Sequence, residues 1–173
     1  MITRNSLSKC GQLLLDVLSS VAEEIPYKVF ILGDASSKDG TVNSIGSFQN
    51  KIGKDFILVD GGRTRAIGRQ KVIEKFLDLD AEWLLFIDDD AKLRSGWFEE
   101  AKQYLHISKI GLIWGINWDA TAERRLALES LGINYRDYLV EQFWKRGGMH
   151  DTLLRREAIE DIKIPPFLHV YED

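Results

Sequence analysis

Cysteine is nearly absent from this chain, positive charge is in deficit, and no apolar run is long. Each shortage removes a class of function. The single cysteine, Cys10, excludes an intrachain disulfide framework and any zinc site built from several thiolates. It suits a reducing compartment. Basic side chains number 23 against 27 acidic ones, a net charge of −4. That argues against a mainly nucleic-acid-binding surface, because neutralising phosphates needs a basic one. No stretch approaches the roughly 18 apolar residues of a membrane span. Leu13 to Val21 comes nearest, but Asp16 interrupts it and the flanks of a signal peptide are missing. A cytoplasmic protein is the expectation. His106, His150 and His169 show no metal-ligand spacing among themselves. No repeat, low-complexity tract or Pro/Gly/Ser linker divides the 173 residues, so one domain with a real core is expected.

What is present is an alternation of helical and extended patterns. Leu14, Val17, Leu18 and Val21 carry a helical period through Ser8 to Glu23, which Pro26 ends. Strands are expected at Tyr27 to Leu32, Asp55 to Val59 and Glu82 to Ile87. Helices are expected at Thr41 to Gln49, Thr64 to Leu77 and Ser95 to Tyr104. Strands alternating with helices imply a mainly parallel sheet covered on both faces, with right-handed crossovers placing the loops after the strands along one edge. The loop Asp34 to Asp39, the segment Gly61 to Arg69 and the triplet Asp88-Asp89-Asp90 should therefore line one cleft. Further on, Ile110 to Ile116 reads as a strand, and residues 120–146 read as two amphipathic helices broken near Gly132-Ile133-Asn134. A turn at Gly147-Gly148, a short strand at Thr152 to Arg155 and a helical turn from Arg156 to Asp161 follow.

The triplet carries the most information. The apolar run Trp83 to Ile87 ends in three adjacent carboxylates that repel one another and call for a counter-charge. A hard divalent cation, Mg²⁺ or Mn²⁺, is the natural one, since such ions prefer oxygen ligands shared with substrate phosphates. The alternative is a solvated acidic turn that caps the next helix through Asp90. Arg63, Arg65, Arg69 and Lys71 form a local positive cluster at an expected helix N-terminus, where backbone N–H groups and the helix dipole also attract phosphate. The alternative there is an ordinary solvated helix face.

Five segments, in order, resemble the family 2 glycosyltransferases. Gly33-Asp34-Ala35-Ser36-Ser37-Lys38-Asp39-Gly40-Thr41 is similar to the family's Asp-Asp-Gly-Ser-Ser-Lys-Asp-Gly-Thr loop. Gly62 through Gly68-Arg69-Gln70 is similar to its Gly…Ala-Arg-Asn segment. Phe86-Ile87-Asp88-Asp89-Asp90 resembles the Asp-X-Asp motif. Gly147-Gly148 with Leu154-Arg155-Arg156-Glu157-Ala158 resembles the acceptor-side segment, and Glu172-Asp173 the Glu-Asp motif. Thr3-Arg4-Asn5 stands where the family has Thr-Tyr-Asn.

The resemblance implies the glycosyltransferase A fold, a three-layer α/β/α arrangement around a mainly parallel central sheet. Residues 1–105 would form a nucleotide-sugar-binding half and residues 106–173 an acceptor-side half, expected to be truncated. The implied activity is metal-dependent, inverting transfer of a sugar from a UDP- or GDP-sugar to a hydroxyl acceptor, saccharide or lipid-linked. Donor contacts are implied at Thr3, Asn5, Asp34, Arg69, Asp88 and Asp89. Asp90 and Asp88 would be the metal carboxylates. Asp173 would be the base that deprotonates the acceptor, with Glu172 as an alternative. A non-catalytic nucleotide- or sugar-binding module and a nucleotidyltransferase on a similar fold are the rival readings.

Secondary readings stay open. Asp34 could equally stabilise its own turn through a serine, and Asp39 is expected to bond backbone N–H groups in the Gly40 turn. His150, next to Asp151, could reach the acceptor or a phosphate. Trp114 and Trp118 would stack an acceptor sugar or pack in the core. Leu139, Phe143 and Trp144, beside Lys145 and Arg146, form either a core-facing stripe or a membrane-surface contact. A lipid-linked acceptor would place the protein at the inner face of a membrane.

Overall fold

The computed structural model describes residues 1–115, 122–146 and 150–168. The chain opens with β1 (Ile2–Thr3), α1 (Ser6–Cys10) and α2 (Gln12–Glu24), then β2 (Val29–Asp34), α3 (Thr41–Lys51), β3 (Asp55–Asp60), α4 (Arg65–Leu77), β4 (Trp83–Phe86) and α5 (Trp97–Leu105). β5 (Leu112–Trp114), α6 (Ala122–Ser130), α7 (Tyr135–Arg146), β6 (Thr152–Arg155) and α8 (Arg156–Ile159) complete it. The helix expected from Ser8 is two helices, because Gly11 takes φ 54° and ψ −122°, a conformation that breaks the hydrogen-bond ladder.

β1, β2 and β3 form a parallel three-stranded sheet in that order, with Ile2 opposite Gly33 and Val29 to Asp34 opposite Asp55 to Asp60. The parallel reading holds here. β4, β6 and β5 form a second sheet in which β6 runs antiparallel to both neighbours. This half departs from the parallel expectation: β6 enters after α7 from the end of the sheet where β4 and β5 leave, so it must run back between them.

β2 shows why both faces are covered. Phe30 and Leu32 pack with Leu14, Val17, Leu18 and Val21 of α2 and Ile45 of α3. Ile31 packs on the other face with Ala66, Val72, Ile73 and Phe76 of α4. Successive side chains of a strand point to opposite faces, so a continuous apolar run is what a doubly covered parallel strand needs. β4 repeats the device: Leu84 and Phe86 join the α4 side, while Leu85 joins the α2 side together with Ile87, just past the strand.

The carboxyl ends of β2, β3 and β4 all meet at one edge. Gly61 makes this closeness possible, since a Cβ there would lie 2.8 Å from the Asp34 carbonyl carbon and the Ala35 nitrogen. Among the described residues, no helix is long and apolar enough to cross a membrane.

Candidate functional site

Of the three segments expected to share a cleft, the segment Gly61 to Arg69 and the triplet line one pocket, and the Asp34 loop adjoins it at the same sheet edge through a network of short polar contacts. Asn5, at φ 54°, donates its N–H to Ser37 Oγ at 2.7 Å and accepts the Lys38 N–H on Oδ1 at 2.8 Å. It therefore ties the turn after β1 to the loop after β2. Thr3 and Ser6, both buried, share a hydrogen bond, and Ser6 donates its hydroxyl proton to Asp89. Because a serine has one O–H to give, Thr3 is the donor to Ser6. The acidic loop after β4 is thereby fastened to β1.

Asp34 ends β2, and its carboxylate accepts the Ser37 N–H at 2.8 Å and the Ser37 hydroxyl. This is the turn-stabilising arrangement, although each carboxylate oxygen keeps a further lone pair for a ligand. Asp39 accepts Thr41 N–H at 3.1 Å, Thr41 Oγ1 at 2.5 Å and Ser8 N–H at 2.7 Å, the structural role expected of it. Partial desolvation pulls its carboxyl upward, but the bonds from Thr41 and Ser8 outweigh it and hold the group well below the usual range.

On α4, Thr64 caps the helix by accepting the Ile67 N–H at 3.1 Å. Of the positive cluster, Lys71 is occupied by an ion pair to Asp60 at 2.8 Å, and Arg63 is exposed. Arg69 is buried, at 7% exposure, and lines a pocket of about 110 Å³ with Arg65, Ile2, Asp88, Asp89 and Asp90. The triplet and the arginines thus face one another.

The three carboxylates differ. Asp90 is exposed, while Asp88 and Asp89 are half-buried. Burial raises the Asp88 carboxyl above its ordinary value; Arg69 and His150 pull it back, and Asp90 and Asp89 push it further up. A group held in this balance ionises most readily with added positive charge nearby. The donor set is all oxygen, which fits Mg²⁺ or Mn²⁺ and not a softer ion. Among the described residues no three His, Cys, Asp or Glu side chains could hold a metal by themselves. Two carboxylates completed by phosphate oxygens and water is the set these residues can offer.

Beyond the triplet, the sequence reading understated one residue. Asp151 precedes β6 at φ 42°, is 6% exposed, and its Oδ1 lacks a hydrogen-bond partner while lying 3.7 Å from His150 Nε2. Burial, opposed by His150 and assisted by Asp88, pushes its carboxyl up to about 6. Gly115 accommodates it, for a Cβ there would lie 1.7 Å from Asp151 Oδ2. The available signal was the neighbouring His150, but one sequence pair does not reveal burial.

Arg155 and Arg156, read as part of an acceptor-side segment, sit at the opposite end of the sheet. Arg155 pairs with Trp83 across the β4–β6 ladder and stacks on its ring at 4.6 Å. Arg156 donates to the carbonyls of Phe76, Leu77, Leu79 and Ala81, closing the end of α4. Both are structural here. Trp114 is 38% exposed at the end of β5. Glu172, Asp173, His169, Trp118 and Gly147-Gly148 lie outside the described residues, as do the side chains of Phe143 and Trp144.

The glycosyl transferase family 2 model matches residues 1–163. Among curated proteins nothing matches the chain. Among solved structures, S. aureus TarS 1-349 superimposes with a TM-score of 0.66 at 16% identity, over 99% of this chain and 50% of that one. The same protein in complex with UDP gives 0.66 at 15% identity, with the same coverage. Its complex with UDP-GlcNAc gives 0.50 at 18% identity, over 65% of this chain and 32% of that one. The chain therefore spans about half the length of the first of these, and the likeness is one of fold. With a family match over nearly its whole length, this chain belongs to glycosyl transferase family 2.

Proposed function

We propose that this domain transfers a sugar, with inversion, from a nucleotide-diphospho-sugar to a hydroxyl acceptor, using Mg²⁺ or Mn²⁺. The observation that carries the reading is the pocket in which Asp88, Asp89 and Asp90 face Arg65 and Arg69 at the carboxyl edge of the sheet. Opposite charges set against each other in one pocket suit a ligand that is anionic and brings a cation with it. A nucleotide diphosphate is such a ligand, and strand ends are where open α/β sheets bind them. The fold shared with a protein solved with UDP and UDP-GlcNAc supports trying UDP-sugars first.

In this reading Asp90 and Asp88 hold the cation, and donor phosphates and water complete its shell. The bound ion supplies positive charge for the departing nucleoside diphosphate. Arg69 contacts phosphate. Asp34 receives a base N–H on its remaining lone pairs, Asn5 and Thr3 shape the floor beside it, and Asp88 reaches toward the ribose. Asp173, or Glu172 in its place, takes the proton from the acceptor hydroxyl as it attacks the anomeric carbon. Residues 1–105 serve the donor and the remainder the acceptor, and a lipid-linked acceptor would bring the domain to the cytoplasmic face of a membrane.

Calorimetry with UDP- and GDP-sugars, with and without Mn²⁺, tests the donor half of this reading. A radiolabelled-sugar release and transfer assay tests the rest. Nucleotide binding indifferent to the metal overturns the cation role. Binding with neither hydrolysis nor transfer assigns the domain to a non-catalytic module.

A further inference from the structure

Past α8 the chain crosses α4 as a strap. Residues 160–168 form neither helix nor strand, and most of them are exposed. Two apolar side chains anchor them. Ile164 is buried in the cluster that Val72, Ile73 and Phe76 of α4 build with Ile31, Leu84 and Phe86, and Leu168 packs against it. Pro165, Pro166 and Phe167 stand between these anchors, exposed. Apolar contact is non-directional, so two such anchors do not by themselves fix where a chain sits along a helix.

Two hydrogen bonds to α4 supply the direction. Gln70 Oε1 accepts the Ile164 N–H at 3.0 Å, and Thr64 donates its hydroxyl proton to the Pro166 carbonyl at 3.0 Å. Both side chains are engaged at each end. Gln70 Nε2 donates to Glu74 Oε1 at 2.9 Å, which turns the amide oxygen toward Ile164. The Thr64 oxygen also accepts the Ile67 N–H as the cap of α4. Ile164 needs a side-chain acceptor, because it precedes a proline, is held extended, and has no strand beside it. The strap therefore meets α4 at Gln70 and then at Thr64, running toward the N-terminal end of the helix. That end is a wall of the carboxylate pocket. Arg65 follows Thr64, Arg69 precedes Gln70, and both arginines line the pocket. Gln70 is not among the described residues that line it.

We infer that Gln70 is a positioning residue for transfer: it seats the strap on the helix that carries the pocket's arginines, and so sets where the acceptor-side residues beyond the strap meet the donor. The inference rests on the reading of Glu172-Asp173 as the source of the base. Asp173 comes five residues after Leu168, and five residues span at most about 17 Å. The seat of Leu168 thus limits where that carboxylate can go. Gln70 acts through the strap and not on the donor.

The test compares three forms of the full chain: the parent, Gln70→Met, and the double substitution Gln70→Glu with Glu74→Gln. Methionine keeps the length of the side chain and removes the acceptor. The double substitution exchanges the two groups, so that a carboxylate accepts both the Ile164 N–H and the new amide, with net charge unchanged. Amide exchange at Ile164 should quicken about fivefold in Gln70→Met, the range for one lost neutral hydrogen bond. In the transfer assay its kcat should fall about 10- to 100-fold, as for a small misplacement of a reacting group, while calorimetric affinity for a UDP-sugar with Mn²⁺ stays within about twofold. The double substitution should recover slow exchange and most of kcat. Unchanged exchange at Ile164 in Gln70→Met overturns the clasp. Faster exchange with parental kcat, or kcat and donor affinity falling together, makes Gln70 a structural residue and overturns the positioning role. A parent chain without transfer sinks the transferase reading and this role with it. The exchange measurement needs neither donor nor metal, so it tells that failure from failure of the clasp.

Discussion

Ser6 and Asp89 are 83 residues apart in sequence, yet the Ser6 hydroxyl donates to the Asp89 carboxylate. This bond joins the turn after β1 to the loop after β4, two segments that share no strand pairing. It also separates Asp89 from its neighbours, since one of its oxygens is committed to the protein. In the proposed reading Asp88 and Asp90 are the pair left to face the ligand. The relationship predicts the behaviour of Ser6→Ala. Removing the hydroxyl strips Asp89 of a donor and leaves the buried Thr3 hydroxyl without its acceptor, at a cost of about 1.5–3 kcal/mol for a bond to a charged group. The variant should melt several degrees lower by circular dichroism and bind donor severalfold more weakly in calorimetry, with metal dependence retained. Unchanged melting would mean that the contact does not hold the loop.

Asp90 is the exposed member of the triplet, and its loss should be read in binding alone. Asp90→Ala removes no buried contact, so its stability should stay within about 0.5 kcal/mol of the parent, as for ordinary surface substitutions. In Mn²⁺ titrations of UDP-sugar binding, the metal-dependent part of the affinity should disappear. Parent-like Mn²⁺ dependence would move the ligand role to Asp88 and Asp89.

Asp173→Asn asks whether the base lies at the Glu-Asp motif. The amide keeps the size of the side chain but cannot take a proton at working pH. Donor binding by calorimetry should match the parent, while transfer to acceptor falls by a factor of about 10²–10⁴, the usual range for general acid–base catalysis. Full transfer by this variant, with Glu172→Gln inactive, would assign the base to Glu172.

The donor side of the fold was legible in sequence because its strands are buried on both faces and stand between Gly- and Asp-rich loops. β2 at Val29 to Asp34 and β3 at Asp55 to Asp60 fell where the apolar runs lay, shifted by two residues at most. Thr64 marked its helix start by capping it with its side chain, whereas α3 begins at Thr41 behind an N-cap Gly40, and the Thr41 hydroxyl donates to Asp39 instead of capping. β6 was found as a strand, but its direction was not readable. All four of its residues, Thr152 to Arg155, are buried, so no alternation distinguishes its faces, and strand direction has no local sequence signature. Arg155 and Arg156 look like site residues in sequence because a paired guanidinium and a solvated one are spelled alike. Their partners are backbone carbonyls of Leu105, Ser108 and the Phe76–Ala81 turn, which no motif records. Asp34 and Ser37 were the reverse case, a local turn three residues long, and both possible roles were visible.

Asp151 gives a prediction whose sign can be worked out. Its folded pKa, about 6, lies above the ordinary 3.8, with burial as the leading cause. A group with a raised folded pKa contributes stability that is fully present below its unfolded pKa and is lost as pH rises through the folded one. The parent should therefore lose stability between pH 4 and pH 7, by up to about 2–3 kcal/mol at 1.36 kcal/mol per pKa unit. Asp151→Asn carries no charge to bury and should not lose this increment. Melting curves of parent and variant should lie close together near pH 4 and diverge above pH 6, with the variant more stable. His150, 3.7 Å away, opposes the effect. His150→Gln should enlarge it at pH 6. Parallel curves across the range would mean that Asp151 stays ionised in the folded protein, held by a partner other than His150.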